Sequence, residues 1–156
     1  MQGGFSWFLI ALLAAALLAA ALGDWRTRTI PNWLNGAIAL LAIPFWWASG
    51  LSLWPDVALQ VGVAFAVLLV FFLAFQMGQM GGGDVKMLFA LALWLPPMAV
   101  VQLIMIMAIA GGVLTVAMLI PHRMLKSAGN PEIPYGIAIA FAGLWLIGER
   151  FLNHFG

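Results

Sequence analysis

Apolar residues in this chain run in long unbroken stretches rather than alternating with polar ones. Uncharged runs occupy positions 5–22, 33–48, 57–76, 85–95, 98–120 and 134–148. A helix needs roughly 20 apolar residues to cross a membrane's hydrocarbon core, so the pattern predicts about six transmembrane helices. A membrane barrel would show short segments of strict alternation, which these Ala/Leu/Val-rich runs lack. The second run is short and carries Pro44. The fourth has only 11 residues before Pro96 and Pro97, a length at which a half-spanning segment competes with a full crossing. The expected fold is an all-α membrane protein, one domain over residues 1–156, whose short fourth helix follows a glycine-rich loop.

Composition strengthens this picture. Hydrophobic residues make up 65% of the chain and charged ones 7%, against roughly 25% charged in soluble domains. So few charges cannot cover a surface that faces water, which makes the lipid bilayer the main partner and excludes a nucleic-acid binder. There is no cysteine, hence no disulfide, thiol nucleophile or thiolate metal site. The first 23 residues contain no Lys or Arg, so the first run lacks the basic start of a cleaved signal peptide and is expected to stay.

With six crossings, Arg26, Arg28, Lys86, Arg123 and Lys126 share one side and Arg150 lies on the other. The positive-inside rule makes the first side cytoplasmic and puts both termini outside. Trp7, Trp25, Trp33, Trp46, Trp47 and Trp54 sit near run ends, where interfacial aromatics belong.

Each of the five acids needs a reason to be there. Asp56 precedes an apolar run and reads as a helix N-cap. Glu149 beside Arg150 reads as a solvated terminal pair, and Glu132 as a loop acid. Asp24 and Asp84 differ, because each follows glycine at the cytoplasmic end of an apolar run. Acids at membrane depth are costly and usually face a bundle interior or wet cavity where they act. Brought together, two carboxylates can share a proton. One can then take a proton from water attacking an amide carbonyl while the other polarises the carbonyl oxygen. Helix ends favour charge on Asp84, which opens a helix, over Asp24, expected just past one; Arg26 and Arg28 oppose that assignment. The residues alone leave a second reading open, of two interfacial acids flanking ordinary turns.

Gly78, Gly81, Gly82 and Gly83 leave little side-chain bulk before Asp84, so a substrate backbone could approach there and unusual dihedrals would cost little. Lys86 lies on a different side of its helix from Asp84 and reads first as a snorkelling anchor, second as a residue that holds the loop or contacts substrate. His122 and His154 show no metal-ligand spacing, and no metal site is expected. Gln76, Gln79 and Gln102 are candidates for hydrogen bonds inside the bundle.

Three stretches also resemble one known family. Gly23-Asp24-Trp25-Arg26-Thr27-Arg28-Thr29-Ile30-Pro31-Asn32 is similar to the acid, basic residue and Ile-Pro-Asn turn that follow the first helix of type IV prepilin peptidases. Gly81-Gly82-Gly83-Asp84-Val85-Lys86 matches their GxGD motif, and Ile133-Pro134-Tyr135-Gly136 looks like the Pro-Tyr-Gly segment opening their last helix. The resemblance covers nearly the whole chain and is nearest the short pilus-assembly branch.

It implies a membrane aspartic endopeptidase of the bacterial inner membrane. Asp24 and Asp84 would be the catalytic acids, with Gly81, Gly82, Gly83, Lys86, Pro134 and Tyr135 binding substrate or positioning the loop. The implied substrate is a pilin precursor, cut at the cytoplasmic face between a short basic leader and a hydrophobic helix, and pilus-assembly proteins are implied as further partners. Larger relatives carry an N-terminal extension and a cysteine-bearing cytoplasmic loop and also methylate the product. This chain has neither, so no cofactor is expected and S-adenosylmethionine is not carried over. The rivals are a small proton-coupled transporter, which also uses paired membrane acids and broken helices, and a noncatalytic pilus-assembly scaffold. Acids near one face rather than the midplane argue against transport.

Overall fold

The computed structural model describes residues 2–124 and 133–155, with side chains described over 3–120 and 133–150. Glu132 and Lys126 lie outside the described residues, as do the side chains of Arg123, His122 and His154. Among the described residues six α-helices form in chain order: α1 (Gln2–Thr27), α2 (Asn32–Ala48), α3 (Ala58–Gln76), α4 (Gly82–Ala92), α5 (Pro97–Met124) and α6 (Tyr135–Phe155). A single wide helical turn, Leu53–Val57, leads into α3. Among the described residues there is no strand. Three stretches of the described residues, Gly3–Thr27, Leu53–Gln76 and Pro97–Ile120, are long and apolar enough to cross a membrane.

Successive helices run in alternate directions. Gly136 at the start of α6 faces Asp24 near the end of α1, and Gly143 meets Leu17 one helical stretch further along. Phe75 at the end of α3 covers Gly82 at the start of α4, and the Phe65 and Phe89 rings meet edge-on at 5.3 Å. Gly3, Ser49, Leu95 and Arg150 line a cavity of about 300 Å³ at the end of the bundle away from Asp24.

The short fourth run is explained by its position. At 1.5 Å per residue α4 is only about 16 Å long, well short of a bilayer core. It packs against α2, α3 and α6, and every residue from Met87 to Leu95 except Phe89 is buried. A helix wrapped by other helices does not need to match the lipid. Two indoles fix it to α2: Trp94 Nε1 donates to the Ile38 carbonyl at 2.9 Å, and Trp46 Nε1 donates to the Leu93 carbonyl at 2.8 Å. Trp46 therefore points inward, whereas Trp25, Trp33, Trp47 and Trp54 are exposed as expected of interfacial aromatics.

The outer faces are as apolar as the interior. Leu69 is 67% exposed and Leu91 fully buried, which is the arrangement of a protein whose surface meets lipid.

Candidate active site

Asp24 and Asp84, distant in sequence, line one cavity of about 230 Å³ together with Arg28, Thr29, Ile30, Asn32 and Gly81 to Gly83. Both acids are buried, 4% and 8% exposed, and they are close enough for the charge of Asp24 to act on Asp84. The cavity forms where the α1–α2 turn meets the first turn of α4.

Local sequence builds each wall. Gly81 is the N-cap of α4, in an extended conformation, and Asp84 stands at the third helical position. From there its carboxylate turns back toward the Gly81 N–H, one half of the capping-box arrangement. Gly83 packs directly on the turn, since a Cβ there would lie 3.4 Å from Ile30 Cβ and 3.5 Å from its carbonyl oxygen. A larger side chain would push the turn away. Unusual dihedrals are not the reason for these glycines, because in this loop only Gly78, with φ +71°, takes the left-handed conformation.

α1 continues to Thr27, so Asp24 lies inside the helix rather than past its end. Its carboxylate faces the backbone N–H groups of Gly136 and Ile137, in the first turn of α6. The contact is tight: a Cβ on Gly136 would stand 2.7 Å from Asp24 Oδ2. Both acids thus meet the N-terminal end of a helix, where negative charge is favoured. Helix ends give no ground for assigning the proton to one of them, and the argument for Asp24 as its holder falls.

Lys86 is exposed and also acts across the fold. Its Nζ donates to Asn32 Oδ1 at 2.8 Å and ties α4 to the start of α2, beside the cavity. Pro134 is fully buried, and the Tyr135 ring packs on Gly111 of α5. Neither lines the cavity; this segment reaches Asp24 through the backbone of Gly136 and Ile137. Asp56 is not the N-cap of α3. It accepts hydrogen bonds from the Ser52 N–H at 3.0 Å and the Ser52 hydroxyl at 2.7 Å, closing the turn before that helix. Gln76, Gln79 and Gln102 are exposed, and the buried amides are Asn35 and Gln60.

Among the described residues, four buried polar side-chain atoms lack a hydrogen-bond partner: Asp24 Oδ2, Arg28 Nη1, Asn35 Oδ1 and Gln60 Oε1. Unpaired buried polar atoms are rare and costly. Three of the four belong here, because Asn35 Nδ2 donates to the Gly83 carbonyl at 3.1 Å. Asn35 went unread in the sequence, and Gly136 was read only as part of the Pro-Tyr-Gly segment, with no role of its own. An Asn near the start of a helix signals nothing by itself, and Gly136 acts through a position where a side chain is absent. No group of three or more potential metal ligands occurs among the described residues.

Chemically, the cavity offers two buried carboxylates, a guanidinium and the turned-in amides of two helix starts, with unpaired donor and acceptor atoms. That set can activate water and hold a polar group. No curated protein and no solved structure matches this chain. The model of the type IV leader peptidase family matches residues 11–116, a stretch that contains both aspartates. With more than two-thirds of its length matched by that model, the chain belongs to the type IV leader peptidase family.

Proposed function

We propose that this protein is an aspartic endopeptidase that removes the basic leader from pilin precursors at the cytoplasmic face of the bacterial inner membrane. The observation that carries the reading is the pairing of Asp24 and Asp84, two buried acids from distant parts of a charge-poor chain, on one polar cavity. Family membership supports peptide hydrolysis, and the two carboxylates supply groups suited to it.

In this mechanism water sits between the acids. The ionised carboxylate takes a proton as the water oxygen adds to the scissile carbonyl carbon. The protonated carboxylate donates to the carbonyl oxygen and stabilises the developing negative charge. Collapse of the tetrahedral intermediate breaks the C–N bond, and the leaving amine takes up a proton. The Gly136 and Ile137 amides orient Asp24, while the Gly81 amide orients Asp84. The cavity opens beside the α1–α2 turn, where an extended leader could enter while the precursor's hydrophobic helix stays in lipid. The reaction needs no cofactor. The charges of Arg26, Arg28 and Lys86 near this end support a cytoplasmic location under the positive-inside rule.

The test is cleavage of a co-expressed pilin precursor by the wild type, Asp24→Asn and Asp84→Asn, with membrane insertion checked for each. Both variants should leave the precursor uncut. Normal processing by either one would sink the two-aspartate mechanism.

A further inference from the structure

We infer that Arg28 binds the α-carboxylate that hydrolysis creates at the end of the released leader. The inference rests on the peptidase reading and assigns a ligand to a group which that mechanism leaves idle.

Arg28 follows the last residue of α1 and takes φ 55°, a left-handed conformation that non-glycine residues adopt rarely. Its N–H still closes the helix by donating to the Asp24 carbonyl at 3.0 Å. The chain reverses there, and Arg28 becomes part of the cavity wall beside both acids. Nη1 is shut off from solvent and has no hydrogen-bond partner. Its charge is felt by Asp24, yet Asp24 Oδ2 is equally unpartnered. A guanidinium carries five donors in a planar fork and no acceptor, so the missing partner is an acceptor that arrives with the peptide.

The reaction supplies one of the right charge. Water adds across the amide: as the C–N bond breaks, the carbonyl carbon gains OH and the amine nitrogen gains the other hydrogen. The acid fragment then loses a proton to become a carboxylate. Two aspartates alone would repel that carboxylate and favour a neutral end. A fork-shaped cation at the same wall reverses the preference, because guanidinium and carboxylate match in a bidentate pair. Lys86 is committed to Asn32, and Arg26 does not line the cavity, which leaves Arg28 as the cation in place.

The probes are a short lysine-rich leader peptide with a free C-terminal carboxylate and the same peptide as its C-terminal amide. Each is measured as an inhibitor of precursor cleavage and, labelled, in direct equilibrium binding to the membrane-reconstituted protein. The wild type should bind the acid about tenfold more tightly than the amide. Arg28→Gln keeps the unbranched stem and the left-handed backbone but loses the charge, and should abolish or invert the preference. Arg28→Lys, a point charge without the fork, should retain part of it. Equal or tighter binding of the amide by the wild type would overturn the inference, as would an acid preference that survives in Arg28→Gln. If Arg28→Gln fails to insert, the wild-type comparison still decides. Failure of the peptidase reading would appear separately, as precursor cleavage unaffected by Asp24→Asn or Asp84→Asn.

Discussion

Gly136 and Asp24 approach so closely that a methyl group on Gly136 would stand 2.7 Å from Asp24 Oδ2, and also 2.8 Å from Ile30 Cδ1. Both neighbours are buried, at 4% and 7% exposure, and both line the cavity, so they can yield to a methyl group only by shifting into it. Gly136→Ala should therefore move the carboxylate or the start of α6. Misplacing a catalytic group by about 1 Å costs on the order of 100-fold in rate, and the expected loss of precursor cleavage is about 10- to 100-fold. Gly62→Ala on α3, where a Cβ meets nothing within 4 Å, should cleave normally. Time courses in membranes at matched expression compare the two; a wild-type rate for Gly136→Ala would show that the α6 amides do not hold Asp24.

Lys86 and Asn32 form a second cross-link near the cavity, 54 positions apart in sequence. Because Lys86 is exposed, the bond should add only about 1 kcal/mol or less to stability. Its larger effect is on geometry, since Asn32 lines the cavity. Lys86→Met and Asn32→Ala should each slow cleavage several-fold with little change in thermal unfolding. The double variant should be no slower than the worse single one, as partners in one interaction are non-additive. Independent, multiplying effects on the measured rates would refute the coupling.

The same contrast between exposed charge and apolar background explains what the sequence made legible. Asp24 and Asp84 stood out because charge is scarce at membrane depth, whereas the Gly81 to Gly83 run, read as room for a substrate backbone, gave no sign that Gly83 packs on Ile30. The helical architecture was readable from run lengths alone. What stayed hidden depended on direction. Leu69 and Leu91 are alike in sequence, yet one faces outward and the other is fully buried, because lipid and protein interior are equally apolar. The central placement of α4 was therefore illegible. So was the role of α6: backbone amides carry no side-chain signature, and the Pro134-Tyr135 pair that looked functional reaches the site only through the next two residues. Arg28 read only as one of the charges on the cytoplasmic side, because nothing in its neighbours announced a left-handed turn.

The indole bonds between α2 and α4 separate stability from catalysis. Trp94 Nε1 reaches the Ile38 carbonyl at 2.9 Å, at the end of α4 remote from Asp84. Replacing a buried donor of this kind costs about 0.5–1.5 kcal/mol for the bond. Trp94→Phe should lower resistance to unfolding in detergent by about that amount while leaving the cleavage rate of the folded fraction unchanged. A variant of normal stability but impaired cleavage would contradict this division.

Gly143 offers a test of how α4 is held against its neighbours. A Cβ there would lie 2.9 Å from Leu91 Cδ2 and 3.0 Å from Leu17 Cδ1. Both contacts are the ends of flexible side chains rather than backbone, so a small group can be admitted if the leucines turn. Overpacking a tight interior typically costs about 1–3 kcal/mol; Gly143→Ala should sit near the low end of that range and Gly143→Val near the high end. Leu91→Ala alone opens a cavity and should destabilise by about 2–5 kcal/mol. Combined with Gly143→Val, it removes the atom that clashes while the valine fills part of the void. The double variant should therefore be more stable than the sum of the single losses implies, read as unfolding midpoints in detergent. Strict additivity would mean that α6 and α4 do not meet at these two residues as closely as the structure places them.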